Sequence, residues 1–177
     1  MAWIPHYYSG QTYRFTHLAP HTEVFSRPAY KDHSAETFTV DVRYSDHCFT
    51  RRPKTNERYD GELVYRNREK KIRLFCPKRY EMSKLLPDFI RGLPNKKPHH
   101  NGKNGNFFIL ETLDSSGNPV RYVIIFSVRK SAKKRLELLV ETAFMEEPDY
   151  GSAALTGRPV RFWIILNNTY KGLNIHR

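Results

Sequence analysis

From Thr37 to Tyr44 the chain alternates without a break: Phe38, Val40, Val42 and Tyr44 are apolar, and Thr37, Thr39, Asp41 and Arg43 are polar. A period of two with one apolar face predicts a half-buried strand. Shorter runs of the same kind occur at Tyr13-Arg14-Phe15, Glu23-Val24-Phe25, Glu62-Leu63-Val64-Tyr65 and Lys71-Ile72-Arg73-Leu74-Phe75. Together they predict a β-rich N-terminal platform over residues 12–80. The last two runs flank a charged hairpin tip, Arg66-Asn67-Arg68-Glu69-Lys70.

The period changes at Ser83. Leu85, Leu86, Phe89, Ile90 and Leu93 form a helical stripe, Pro87 falls in the first turn, and Gly92 with Pro94 can stop the chain, so one main helix is expected over 83–92 with Ser83 as its N-cap. A loop of polar, basic and glycine residues follows over 95–105. Residues 106–112, 120–129, 136–144 and 160–167 then read as a four-stranded antiparallel meander, with a turn at 114–119, a basic loop at 130–135 and a linker-like Gly151-Ser152-Ala153-Ala154. The class expected is α+β, in a single compact domain over 1–177 whose second part spans 83–170.

Sorted by period two, Tyr122, Ile124, Phe126 and Val128 share a face with Leu136, Leu138, Val140 and Phe144, and with Phe162, Ile164 and Leu166. That surface should receive the helix. The opposite face carries Arg121, Ser127, Arg129, Glu137, Glu141, Arg161 and Asn167 around Val123, Ile125, Leu139 and Trp163. Carboxylates and guanidinium groups over an apolar floor suit a phosphodiester, because a carboxylate or imidazole can take a 2′-hydroxyl proton while Arg steadies phosphate charge. Glu137 and Glu141 opposite Arg121 and Arg129 also fit ordinary cross-strand ion pairs.

Charge sharpens the choice of partner. The 177 residues carry 30 Lys and Arg against 18 Asp and Glu, a formal +12, which favours polyanions. Eleven basic and four acidic residues lie between 51 and 79, with Tyr59, Tyr65, Phe75 and Tyr80 interleaved, a pattern suited to stacking and phosphate contact on single-stranded nucleic acid. Arg51, Arg52, Lys54, Arg58, Lys70, Lys71, Arg73, Lys78, Arg79 and Lys103 are the expected contacts. RNA is expected ahead of DNA. The alternative partner is an acidic protein, such as an immunity or inhibitor protein. No apolar run has signal-peptide or membrane-spanning length, so a cytoplasmic protein without a membrane partner is expected.

The octet Ser-Asp-His-Cys-Phe-Thr-Arg-Arg at 45–52 places an acid, an imidazole and a thiol where the 37–44 strand ends. Two cysteines, Cys48 and Cys76, are too few for a disulfide framework, and neighbours such as His47 and Cys48 point to opposite sides of a strand. No metal or other cofactor is expected, and Cys48 reads as a small buried hydrophobe. His47 is retained as a general base or acid, since an imidazole titrates in the useful range.

The segments "SKLLPDFIRGL", "NFFILET", "VRYVIIFSVRK", "LELLVETAF" and "VRFWIILNN" together resemble the helix-then-meander layout of the barnase, colicin and RelE-like ribonucleases, over roughly residues 83 to 170. "HCFTRR", "CPKRYEMSKLLP" and "GNFFILE" resemble segments of short bacterial and prophage proteins. The resemblance implies a toxin- or effector-like, metal-independent endoribonuclease with its chemistry on the sheet face away from the helix. Arg129, Glu141 and Arg161 match that group by residue type and predicted face, flanked by His99 and His100, and the candidate catalytic set is Arg129, Glu141, Arg161, His47 and His100. A non-catalytic nucleic-acid-binding or protein-interaction effector is the alternative.

Overall fold

The computed structural model describes residues 3–29, 34–65, 72–100, 106–114, 116–131, 135–146 and 157–175. A hairpin of β1 (His6–Tyr8) and β2 (Gln11–Tyr13) leads to β3 (His21–Arg27) and β4 (Glu36–Tyr44). Short strands β5 (Thr50–Arg51), β6 (Val64–Tyr65) and β7 (Arg73–Phe75) follow, then helices α1 (Pro77–Ser83) and α2 (Leu86–Gly92). β8 (His99–His100), β9 (Asn106–Leu113), β10 (Pro119–Lys130), β11 (Leu136–Met145), β12 (Arg158–Pro159) and α3 (Phe162–Lys171) complete an α+β protein.

The main sheet has seven strands in the order β12-β8-β9-β10-β11-β4-β3. It is antiparallel except where β11 runs parallel to β4, with Leu136 opposite Val40 and Val140 opposite Tyr44. Within the β-rich N-terminal part, β3 and β4 extend the C-terminal meander, and among the described residues only β5-β7-β6 and the β1-β2 hairpin stand outside the main sheet. The alternation of residues 37–44 is observed, with Phe38, Val40, Val42 and Tyr44 all buried.

One face of the sheet is covered by helices. Phe25 and Phe38 are register partners, and Phe162 and Trp163 of α3 lie against them with ring centroids 5.3 Å and 6.4 Å apart. Phe89 of α2 meets Phe108 of β9 at 5.3 Å. Leu86, Phe89, Ile90 and Leu93 are buried in the same core as Tyr122, Ile124 and Phe126, as the stripe required. The helical segment begins earlier than expected, with α1, and turns at 84–85 before α2. Ser83 ends α1 rather than capping α2, and its buried hydroxyl donates to Tyr80 O at 2.6 Å and meets His17 Nε2 at 2.8 Å.

Two expectations for the C-terminal half are corrected. Residues 160–167 are not a fourth meander strand, because α3 occupies Phe162–Lys171. Phe162, Ile165 and Leu166 are buried at i, i+3 and i+4, a helical spacing, and Gly172 closes the helix at φ 69°. The alternation of β11 also breaks. Ile125 pairs with Thr142 and Phe126 with Val140, leaving Glu141 as the extra residue of a β-bulge. Beyond it the faces exchange: Ala143 takes the core position opposite Ile124, and Phe144 joins Val123 on the other face.

The three-stranded sheet is held by rings. Phe49 stacks on Phe15 at 4.0 Å, and Phe75 meets Tyr13 at 4.6 Å and His6 at 4.7 Å. Tyr65 and Phe75 are buried there and Tyr80 is half-buried, so of the four aromatic residues expected to stack bases only Tyr59 is exposed. Among the described residues no helix is long and apolar enough to cross a membrane.

Candidate functional site

β4 ends at Tyr44, and the next residues turn sharply. Ser45 caps a single 3-10 turn, Asp46–Cys48, by accepting from His47 N at 3.0 Å. The same hydroxyl donates to Glu141 O at 2.5 Å, and Ser45 N donates to Val140 O at 2.9 Å. One serine therefore fastens the backbone of His47 to the bulge of β11. A bulge leaves a ladder group unpaired and re-aims a side chain. Here the unpaired carbonyl is satisfied by Ser45, and Leu139, Glu141 and Thr142 line the same cleft.

That cleft has a volume of about 570 Å³, within the range of small-molecule sites. Ser45, Asp46 and His47 line it from the turn, Arg52 and Pro53 from the end of β5, and Ile72 and Arg73 from β7. Its two sides differ in charge: guanidinium groups stand on the β5-β7 side and the Glu141 carboxylate on the β11 side.

A second layer fixes the turn. Thr50 Oγ1 donates to Asp46 O at 2.7 Å, and the buried Arg73 donates through Nε to Thr50 Oγ1 at 2.6 Å. Arg79 donates to His47 O at 3.0 Å and Thr50 O at 2.9 Å, with its guanidinium over the Phe144 ring. The Asp46 carboxylate lies 3.9 Å from Arg73 Nε and 3.8 Å from His47 Nε2. Partial burial and then the Arg73 charge, aided by Arg52 and Arg79 against the pull of Asp46, hold the His47 pKa below its usual 6.5. At neutral pH the ring is an uncharged base, suited to accept a proton.

The family model that matches residues 5–170 spans both the N-terminal strands and the meander they complete. The chain belongs to the YjaZ family. No curated protein and no solved structure matches it. The ribonuclease resemblance thus gains no structural match, and it loses the fourth strand on which its layout rested.

Of the five catalytic candidates in this YjaZ-family chain, the cleft brings together His47 and Glu141. Arg129 is on the uncovered face as expected, but it does not line the cleft and pairs with Glu137, with Nε 2.8 Å from Oε1. Arg161 immediately precedes α3, on the covered side of the sheet, because its segment is helix and not strand. His100 is buried, with Nδ1 2.9 Å from Asn106 Oδ1. Its register row runs through Asn106 and Phe126 to Val140, all on the helix-covered face, so it cannot flank the cleft.

The expected nucleic-acid contacts divide likewise. Arg52, Lys54, Arg58 and Lys78 are exposed. Arg51 is held by Glu57, whose carboxyl is lowered to about 2 chiefly by that hydrogen bond. Arg73 and Arg79 serve the turn. Lys70, Lys71 and Lys103, with the hairpin tip at 66–70 and the linker at 151–154, lie outside the described residues. Cys48 is fully buried and burial pushes its thiol up to about 12, as befits a packing residue. Among the described residues no three His, Cys, Asp or Glu side chains gather as metal ligands. Ser45 carries a local signal, since a serine just before a turn is a capping residue, whereas the bulge at Glu141 has none within a short window.

Proposed function

We propose that this YjaZ-family protein engages nucleic acid, RNA ahead of DNA, and cleaves it by acid-base chemistry in the cleft between the Asp46–Cys48 turn and the β11 bulge. The observation that carries the reading is the convergence of His47 and Glu141, from distant parts of the chain, on one cleft that also presents Arg52. An uncharged imidazole takes the 2′-hydroxyl proton. Arg52, exposed at the rim, meets the phosphate and steadies its developing charge. Glu141, on the opposite side, accepts a hydrogen bond from the hydroxyl and orients it, and the leaving 5′-oxygen takes its proton from solvent water, with the imidazolium at His47 returning its own proton to solvent. The exposed cations Arg52, Lys54, Arg58 and Lys78 add a polyanion-attracting rim.

The test is incubation of the pure protein with total RNA, with and without EDTA, beside His47→Ala and Glu141→Ala. Cleavage indifferent to EDTA and lowered by about 10²-fold or more in each variant is the expected result. Unchanged cleavage in both variants would remove the site. Binding without cleavage would leave the protein a nucleic-acid-binding effector.

A further inference from the structure

The uncovered face of the sheet continues the cleft. Arg43 is the register partner of Leu139, which lines the cleft, so Arg43 stands at its border. Two residues back along β11, Glu137 lies between Arg43, at 3.5 Å, and Arg129. Two residues further, Arg135 reaches Asp41 at 2.7 Å and Thr22 Oγ1 at 3.2 Å. These are ion pairs of unequal exposure. The Glu137 side chain is 12% exposed, while Arg43 and Arg129 are 59% and 69% exposed. Arg135 is 40% exposed against 34% for Asp41. The Glu137 carboxylate is sunk beneath Arg43 and Arg129, Asp41 and Arg135 are about equally exposed, and three guanidinium groups against two carboxylates leave this row a net positive charge. Each guanidinium has five N–H donors, more than its carboxylate partner engages.

We propose that Arg43, Arg129 and Arg135 form a track for the strand of nucleic acid whose reacting phosphate lies in the cleft, an assignment that rests on the reading of the cleft given above. From Leu139 to Arg135 the track runs four residue steps, about 13 Å at the usual strand rise, enough for a few nucleotides. Its width is set by β4, β11 and β10, neighbouring strands spaced about 4.8 Å apart, so Arg43 and Arg129 straddle a single backbone. The occupant is single-stranded RNA. Its phosphates take the outward donors, in competition with the Glu137 and Asp41 carboxylates that the arginines already meet.

The test compares binding of single-stranded RNA oligonucleotides of about four and about twelve nucleotides to the whole protein and to an Arg43→Gln, Arg129→Gln, Arg135→Gln variant. With single strands losing about 0.7 in salt slope per phosphate contact, three lost contacts lower the slope for the longer oligonucleotide by about 2. Between about 50 and about 200 mM salt, its loss of affinity then shrinks by roughly 20-fold relative to the parent. Binding of the shorter oligonucleotide, and its cleavage, stay as in the parent. Glu137→Gln, which removes the sunk carboxylate and leaves the arginines, should tighten the longer oligonucleotide and guards against a triple variant that misfolds. An unchanged slope in a folded triple variant, or Glu137→Gln without effect, overturns the track while leaving the cleft reading intact. Equal loss for a duplex of the same length assigns the face to duplex and also overturns it. No binding of either oligonucleotide by the parent defeats both readings.

Discussion

Ser45→Ala tests how the cleft is held together. The change removes one hydroxyl that accepts from His47 N at 3.0 Å and donates to Glu141 O at 2.5 Å, while Ser45 N keeps its bond to Val140 O. Two neutral hydrogen bonds at about 0.5–1.5 kcal/mol each set a ceiling near 3 kcal/mol. Ser45 is half-buried, so water replaces part of that, and the expected loss is about 1 kcal/mol, the usual cost of an N-cap deletion. For a chain of this size that is a fall of about 2–4 °C in Tm. The effect on rate should be larger than the effect on stability. With the hydroxyl gone, Ser45 N still joins the turn to Val140 O, but the Glu141 carbonyl and His47 N lose their shared partner, and a displacement of about 1 Å costs about 10²-fold when two groups must act together. Thermal unfolding and steady-state cleavage of an RNA oligonucleotide, with kcat and KM separated, are the assays. The loss should fall on kcat, and Ser45→Thr, which keeps the hydroxyl, should recover most of it. If Ser45→Ala cleaves as the parent does while His47→Ala does not, Ser45 positions nothing and the argument from the bulge is wrong.

Leu86→Ala empties a fully buried position in the core under α2 and should cost about 2–5 kcal/mol, read by urea unfolding; a cost under about 1 kcal/mol would show that α2 does not seal that core. The pKa values of His6, His17 and His47 are all held below 6.5 in the folded chain, in each case chiefly by burial. The unfolded chain therefore binds more protons just below pH 6.5, and stability should fall as pH drops through the folded values. A stability that rises over that window would contradict the sign. If His47 is the base, with Asp46, Arg52, Arg73, Arg79 and Glu141 around it, the acid limb of cleavage should lie below pH 6.5 and vanish in His47→Gln; a limb above 6.5 would assign the proton elsewhere. A thiol reagent at neutral pH should modify Cys76 and spare Cys48 until the chain unfolds, as peptide mass analysis can show. Early modification of Cys48 would mean that its burial is not maintained.

Much of the fold was legible because the signals were local. The strand at 37–44, the three antiparallel strands of the meander and the apolar stripe from Leu86 to Leu93 each follow from a period that a short window displays. The helix at the C-terminus did not. Its residues Val160-Arg161-Phe162-Trp163-Ile164-Ile165-Leu166 are aromatic and β-branched, and a short apolar run cannot separate strand from helix by period alone. Tertiary contact decided the matter, since Phe162 and Trp163 have Phe25 and Phe38 to cover. The parallel pairing of β11 with β4 is equally nonlocal, because nothing near either strand encodes a partner some hundred residues away.

The cleft follows from one unpaired residue. Strict alternation from Leu136 puts Thr142 and Phe144 with Leu138 and Val140 on the core face, and Glu141 with Leu139 on the other. The bulge at Glu141 reverses the order beyond it, so Thr142 joins Leu139 and Glu141 at the cleft while Ala143 packs inward. Phe144 is thereby carried to the face where Arg79 covers it, and Arg79 in turn holds the carbonyls of His47 and Thr50. The same irregularity that exposes Glu141 thus supplies the aromatic ring beneath the arginine that fixes His47. A one-residue slip reverses every side chain after it, and no period-two reading can foresee where a slip is paid back by contacts from another segment. His47 was visible as a residue type and Glu141 as a charge on a wet face. Their meeting rests on the β4–β11 pairing and on Ser45, which bonds both sides of the bulge, and these contacts join two segments that the sequence keeps far apart.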